Sequence, residues 1–132
     1  TCTDPSSVPG LGDVNADGFA DIGLGSYGYD GASSGIGKFY IILGKGSGWT
    51  KNTSAAGADC SYVGGSSNQY IGETIAGAED VNGDGYDDML VGASQSDITS
   101  SNGGAIFLIL GSASISGSEL VIETNCDASF GG

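Results

Sequence analysis

The chain has 132 residues, 26 of them glycine, and a formal net charge of −13 from sixteen Asp and Glu against three lysines, with no arginine and no histidine. That balance leaves too little positive charge to neutralise a row of phosphates, which excludes nucleic acid and anionic membrane surfaces as partners. The glycine content argues against helices and the low charged fraction (14%) against disorder, leaving an all-β chain able to bury one core.

In chain order, Cys2 precedes a first strand expected over about 6–11. The next stretch, Asp13 to Asp21, reads D-V-N-A-D-G-F-A-D. Asp13, Asn15, Asp17 and Asp21 can turn side-chain oxygens onto one point, and Phe19 can add its backbone carbonyl. Such an all-oxygen shell suits a hard cation, Ca²⁺ above Mg²⁺, because the loop offers many oxygens at adjustable distance. Gly18 stands where such a loop turns sharply and positive φ is needed. An EF-hand would need a carboxylate at position twelve, where Leu24 stands, and a following helix, whereas Ile22-Gly-Leu-Gly reads as a short strand over about 22–26. The loop is therefore expected at the tip of a β-hairpin.

Tyr27 and Tyr29 follow in a polar loop and are candidates for ligand or partner contact. A third strand over about 37–43 carries Phe39-Tyr-Ile-Ile-Leu43, without polar alternation, as expected of a strand covered on both faces. Trp49 comes next, a candidate for capping a blade edge or for contacting a ligand. Asn52-Thr53-Ser54 is an acceptor sequon for glycosylation at Asn52. A fourth strand, over about 60–64, begins at Cys60.

The pattern then repeats. Asp80, Asn82, Asp84, Tyr86 and Asp88 spell D-V-N-G-D-G-Y-D-D, each 67 residues after its counterpart (80 − 13, 88 − 21). Position twelve of this loop is Val91, again apolar. Ile42-Leu43-Gly44 matches Ile109-Leu110-Gly111, and Cys60 matches Cys126 with a one-residue slip. Strands are expected at about 71–77, 89–93, 104–110 and 119–124. The organisation expected is two repeats, 1–65 and 66–132, each a four-stranded antiparallel sheet stacked on its neighbour as propeller-type blades. Two Ca²⁺ per chain are expected, and they would bring the formal charge from −13 to about −9 (−13 + 4).

Tyr70-Ile-Gly-Glu-Thr-Ile-Ala-Gly-Ala-Glu-Asp80 through Val91-Gly-Ala-Ser94, with the later Gly103-Gly-Ala-Ile, resembles the FG-GAP repeats of the integrin α-subunit propeller and its bacterial relatives. The resemblance implies that each metal loop joins the first and second strands of its blade. It also implies that the Tyr27/Tyr29 loop lies on the ligand-facing side, opposite the metal. The first repeat departs from the pattern, with Thr3-Asp-Pro-Ser in place of the aromatic-glycine start.

These readings lead to an extracellular calcium-binding structural or adhesive module rather than an enzyme. Without histidine, a serine or cysteine nucleophile would depend on a lysine base, and the three lysines carry no recognisable motif. Millimolar external calcium, the sequon and three cysteines without metal-type spacing favour an oxidising setting, with Cys2 expected to pair with Cys60 or Cys126. Two blades cannot close a propeller, and apolar faces carrying residues such as Phe39, Ile41, Ile106 and Leu108 are expected to drive head-to-tail association of copies into a ring or filament. The alternative is a lectin-like or receptor-type module binding a glycan or protein ligand through the loop face opposite the calcium sites.

Overall fold

The computed structural model describes residues 7–51, 53–98 and 100–132. Cys2 and the sequon residue Asn52 lie outside them. The chain is nearly all β. Strands β1 (Gly10–Gly12), β2 (Asp21–Ser26), β3 (Lys38–Ile42) and β4 (Cys60–Val63) come from the first repeat. Strands β5 (Thr74–Glu79), β6 (Asp88–Ala93), β7 (Ala105–Ile109), β8 (Gly117–Val121) and β9 (Ala128–Gly131) come from the second.

The strands form two stacked sheets, in the orders β1-β2-β3-β4-β8 and β5-β6-β7-β9. Neighbours are antiparallel except β4 and β8, which run parallel. The sheets do not close a ring.

Two expectations need correction here. The stretch expected as one strand over 119–124 is divided: its first part lies in β8, which crosses to the first sheet, and Ile122–Asn125 forms a single helical turn, α1, with Ile122 fully buried. The fourth strand of the second sheet is instead β9, paired with β7 as β4 pairs with β3. The apolar run Leu120-Val-Ile serves two elements because it reaches both the neighbouring sheet and the core. The first sheet therefore has five strands, one of them parallel. At the N-terminal side, the chain from Ser7 follows β2, with Gly25 N–H donating to the Ser7 carbonyl (2.8 Å) and Gly23 N–H to that of Pro9 (3.0 Å). The named strand begins only at Gly10, after Pro9, which has no amide hydrogen to offer a ladder.

Strand register sorts the side chains into faces. In the first sheet, Gly25, Phe39 and Tyr62 share one face with Gly23, Ile41 and Cys60. This face packs against the second sheet in a common core with Ile75, Met89, Val91, Phe107 and Ile109, all buried. Phe39 and Ile41 are thus fully buried between the blades, and neither contributes to an open face as expected. The exposed face of the second sheet carries Ile106, Leu108 and Phe130 instead. Close approach of the blades depends on glycine: a Cβ at Gly25 would collide with the Gly72 carbonyl.

Candidate metal centre

Both loops fold onto themselves in the same way. Asp13 accepts from the amides of Asp17 (3.0 Å) and Gly18 (2.8 Å), and Asp80 from those of Gly83 (2.7 Å), Asp84 (3.1 Å) and Gly85 (2.8 Å). Asn15 and Asn82 each donate to the aspartate two residues on at 2.8 Å, while Asp17 and Asp84 accept from the amides of Phe19 (2.9 Å) and Tyr86 (3.0 Å). Gly18 and Gly85, at φ 90° and 94°, let each chain turn back. The amides of Gly85, Gly83, Asp84 and Asn82 hold the Asp80 carboxyl below its ordinary range.

The ninth-position carboxylates have a different environment. Asp21 and Asp88 are buried, and each accepts two backbone amides: Val14 (2.7 Å) and Gly44 (2.7 Å) for Asp21, Val81 (2.8 Å) and Gly111 (2.8 Å) for Asp88. Each ties the start of its loop to the end of the third strand. Burial pushes the Asp21 carboxyl up, against the opposing pull of the Gly44 and Val14 amides.

Each loop therefore carries three carboxylates, an asparagine amide and the carbonyl of Phe19 or Tyr86 as candidate oxygen donors. Among the described residues the one ion pair, Lys38 with Glu119, lies at the other end of β3. Nor, among the described residues, do three or more carboxylates or thiols form a preassembled metal cluster, since the loop carboxylates are turned onto their own amides. A carboxylate has about four acceptor positions, so these bonds leave lone pairs for a cation. The donor chemistry, all oxygen and strongly anionic, fits Ca²⁺.

One loop residue was not singled out from the sequence. Asp87 accepts from the Asp13 amide through Oδ2 (2.8 Å), and its own amide donates to the Asp13 carbonyl (3.1 Å), clasping the second loop to the first. The Ser112 amide adds a bond to the Val14 carbonyl (2.9 Å). Ala20 stands at the equivalent position in the first loop, and that unequal pair was the available signal.

The candidate contact residues do not form one platform. Tyr27 is exposed and packs edge-on against Tyr70, with centroids 6.1 Å apart. Tyr29 donates its hydroxyl to Glu119 (2.9 Å), and the same carboxylate oxygen pairs with Lys38 at 2.8 Å. The Lys38 ammonium also lies 4.7 Å from the Tyr29 ring centre and 5.0 Å from that of Tyr40. Trp49, half-exposed, donates its indole N–H to the Lys45 carbonyl (3.0 Å) and lines a cleft of about 550 Å³ with Leu24, Ile42 and Asp59. Cys60, buried, and Cys126 are free thiols, and the pairing expected with Cys2 lies outside the described residues. No helix among the described residues is long and apolar enough to cross a membrane.

A search of curated proteins returns no match. The family model of the FG-GAP repeat matches residues 71–109, from Ile71 through the second loop to the end of β7. That match lies on the loop, strands and glycines described above, and it identifies residues 71–109, in the second blade, as an FG-GAP repeat.

Proposed function

We propose that this chain is an extracellular, calcium-binding structural or adhesive module, organised as repeats 1–65 and 66–132, that assembles with copies of itself, head to tail, into a filament or closed ring. Calcium is held by Asp13, Asn15, Asp17, Asp21 and the Phe19 carbonyl in one loop, and by Asp80, Asn82, Asp84, Asp88 and the Tyr86 carbonyl in the other. The observation that carries this reading is the pair of loops folded alike, each with three carboxylates and no basic partner among the described residues. Calcium would offset most of the carboxylate charge of each loop and fix the hairpin that Asp87 clasps to its neighbour.

The test is calorimetry of the full chain with Ca²⁺ and Mg²⁺. Two calcium sites with weak competition by magnesium are expected, and fewer than two sites would overturn the reading. The ligand-binding alternative has its best support at the Trp49 cleft, because Tyr29 is engaged with Glu119 and Lys38.

A further inference from the structure

The two hairpin loops are wired to each other through their backbones. Asp13, the first ligand position of the first loop, has both of its main-chain groups held by one residue of the second: its amide donates to Asp87 Oδ2 (2.8 Å), and its carbonyl accepts from the Asp87 amide (3.1 Å). Asp87 stands outside both proposed ligand sets, yet its chain neighbours, Tyr86 and Asp88, are two ligand positions of the second loop. A second path joins the buried ninth-position carboxylates. Asp88 Oδ1 accepts from the Gly111 amide (2.8 Å), the next amide, Ser112, donates to the Val14 carbonyl (2.9 Å), and the Val14 amide donates to Asp21 Oδ2 (2.7 Å).

The arrangement is one-sided. Gly12, at φ 81°, gives Asp87 its room, since a Cβ there would run into the Asp87 carboxylate. The counterpart of Gly12 is Glu79 and that of Asp87 is Ala20, each 67 residues away (79 − 12, 87 − 20), so the gap and the carboxylate that fills it occur together once. Val14 is fully buried beside the clasp, whereas its counterpart Val81 is 54% exposed.

We infer that Asp87 is a positioning residue through which the two calcium sites bind cooperatively. This rests on the calcium reading above and adds how its two sites communicate. A cation in the second loop fixes Tyr86 and Asp88, and with them the residue between. The clasp then stands preformed at Asp13, and the first loop loses less conformational freedom when it closes on its own cation. Charge alone gives the opposite sign, because one bound cation offsets negative charge that would attract the other. At about 0.15 M ionic strength, where the screening length is about 8 Å, that opposing effect is confined to near neighbours. Linkage is reciprocal, so a filled first loop strengthens the second by the same factor.

Calcium calorimetry of the full chain at that ionic strength tests this, with Asp17→Ala and Asp84→Ala each disabling one loop at an exposed carboxylate that takes no part in the clasp. In either variant the surviving loop is expected to bind about fivefold more weakly than the same loop binds in the parent once the other is filled, with one factor for both. Asp87→Ala should abolish this difference. Asp87→Asn, which keeps an acceptor oxygen without the charge, should retain it. A clasp that only holds the fold together would lower the melting temperature in chelator without changing how one loop responds to the other. Two independent sites in the parent, a first ion that weakens the second, or coupling that survives Asp87→Ala overturns the inference and leaves the calcium reading standing, whereas no binding in the parent overturns both. If Asp87→Ala does not fold, the parent against Asp17→Ala and Asp84→Ala still decides the coupling, and its loss in Asp87→Asn overturns the hydrogen-bonded route.

Discussion

Glu119 sits at a φ of 54°, a conformation that a non-glycine residue adopts at some cost, and its amide is held by the Ser61 hydroxyl at 2.9 Å. That placement brings its carboxylate to Lys38, whose side chain is nine-tenths buried and whose ammonium lies over the rings of Tyr29 and Tyr40. Glu119→Ala leaves this ammonium without its counter-charge. A loss of about 1.5–3 kcal/mol is expected for a hydrogen bond to a charged group, towards the lower end because Glu119 itself is half-exposed. Urea unfolding measures it. Lys38, then Tyr29, holds the Glu119 carboxyl below its ordinary value of 4.5. Because the folded value is the lower one, this stabilisation is complete above 4.5 and is lost as pH falls through the depressed value. Glu119→Gln should flatten that part of the acid limb, and an unaltered limb would refute the assignment. Asp21 supports a second expectation at this scale. Replacing it with Asn sets an NH₂ group against one of two converging amides and should cost about 1–3 kcal/mol. Measured in chelator, where metal binding plays no part, unchanged stability would refute the structural role.

Between elements, the blade interface is controlled by backbone approach. Gly25→Ala drives a methyl group into the Gly72 carbonyl and should cost about 1–3 kcal/mol as an overpacked contact. Gly10→Ala, with nothing within 4 Å of the added carbon, should stay within about 0.5 kcal/mol of the parent. Equal effects in urea unfolding would show that the interface yields at Gly25. The same scale explains what the sequence revealed. The hairpin loops were legible because their signal is local, with donors at fixed spacing and glycine at the turn. The third strands were legible as strands but not as faces: Phe39-Tyr-Ile-Ile is apolar throughout, so no periodicity shows that Phe39 and Ile41 face the core while Tyr40 joins Lys38 on the other side. Leu120-Val-Ile reads alike whether it pairs within its own sheet, crosses to the next one or turns into the core. The Cys60–Cys126 match pointed towards β9, but only pairing with β7 shows that Ala128–Gly131 is the fourth strand. Tyr29 resembled a free surface aromatic because its partner Glu119 is 90 residues away.

For the whole molecule, the proposed calcium sites would couple charge to stability. At −13, with six carboxylates concentrated in two hairpin tips, the calcium-free chain folds against its own repulsion. At ten times the dissociation constant, each site contributes about 1.4 kcal/mol, so two sites together give roughly 3 kcal/mol. For a chain of this size that corresponds to a fall of roughly 10 °C in melting temperature on chelation. The fall should depend on salt in a defined direction. At about 0.01 M ionic strength the screening length is roughly 30 Å and the two loops repel each other as well as repelling within themselves. At about 1 M it is roughly 3 Å, and only charges within one loop still interact strongly. Chelation should therefore lower the melting temperature most at low salt and least, though still measurably, at high salt. Magnesium at the same concentration should restore little of the loss, because it dehydrates reluctantly and demands near-octahedral geometry. Scanning calorimetry of the full chain at the two ionic strengths, with and without chelator, checks this. A chelation effect that is independent of salt, or that grows with it, would show that relief of carboxylate repulsion is not how the cation stabilises the fold.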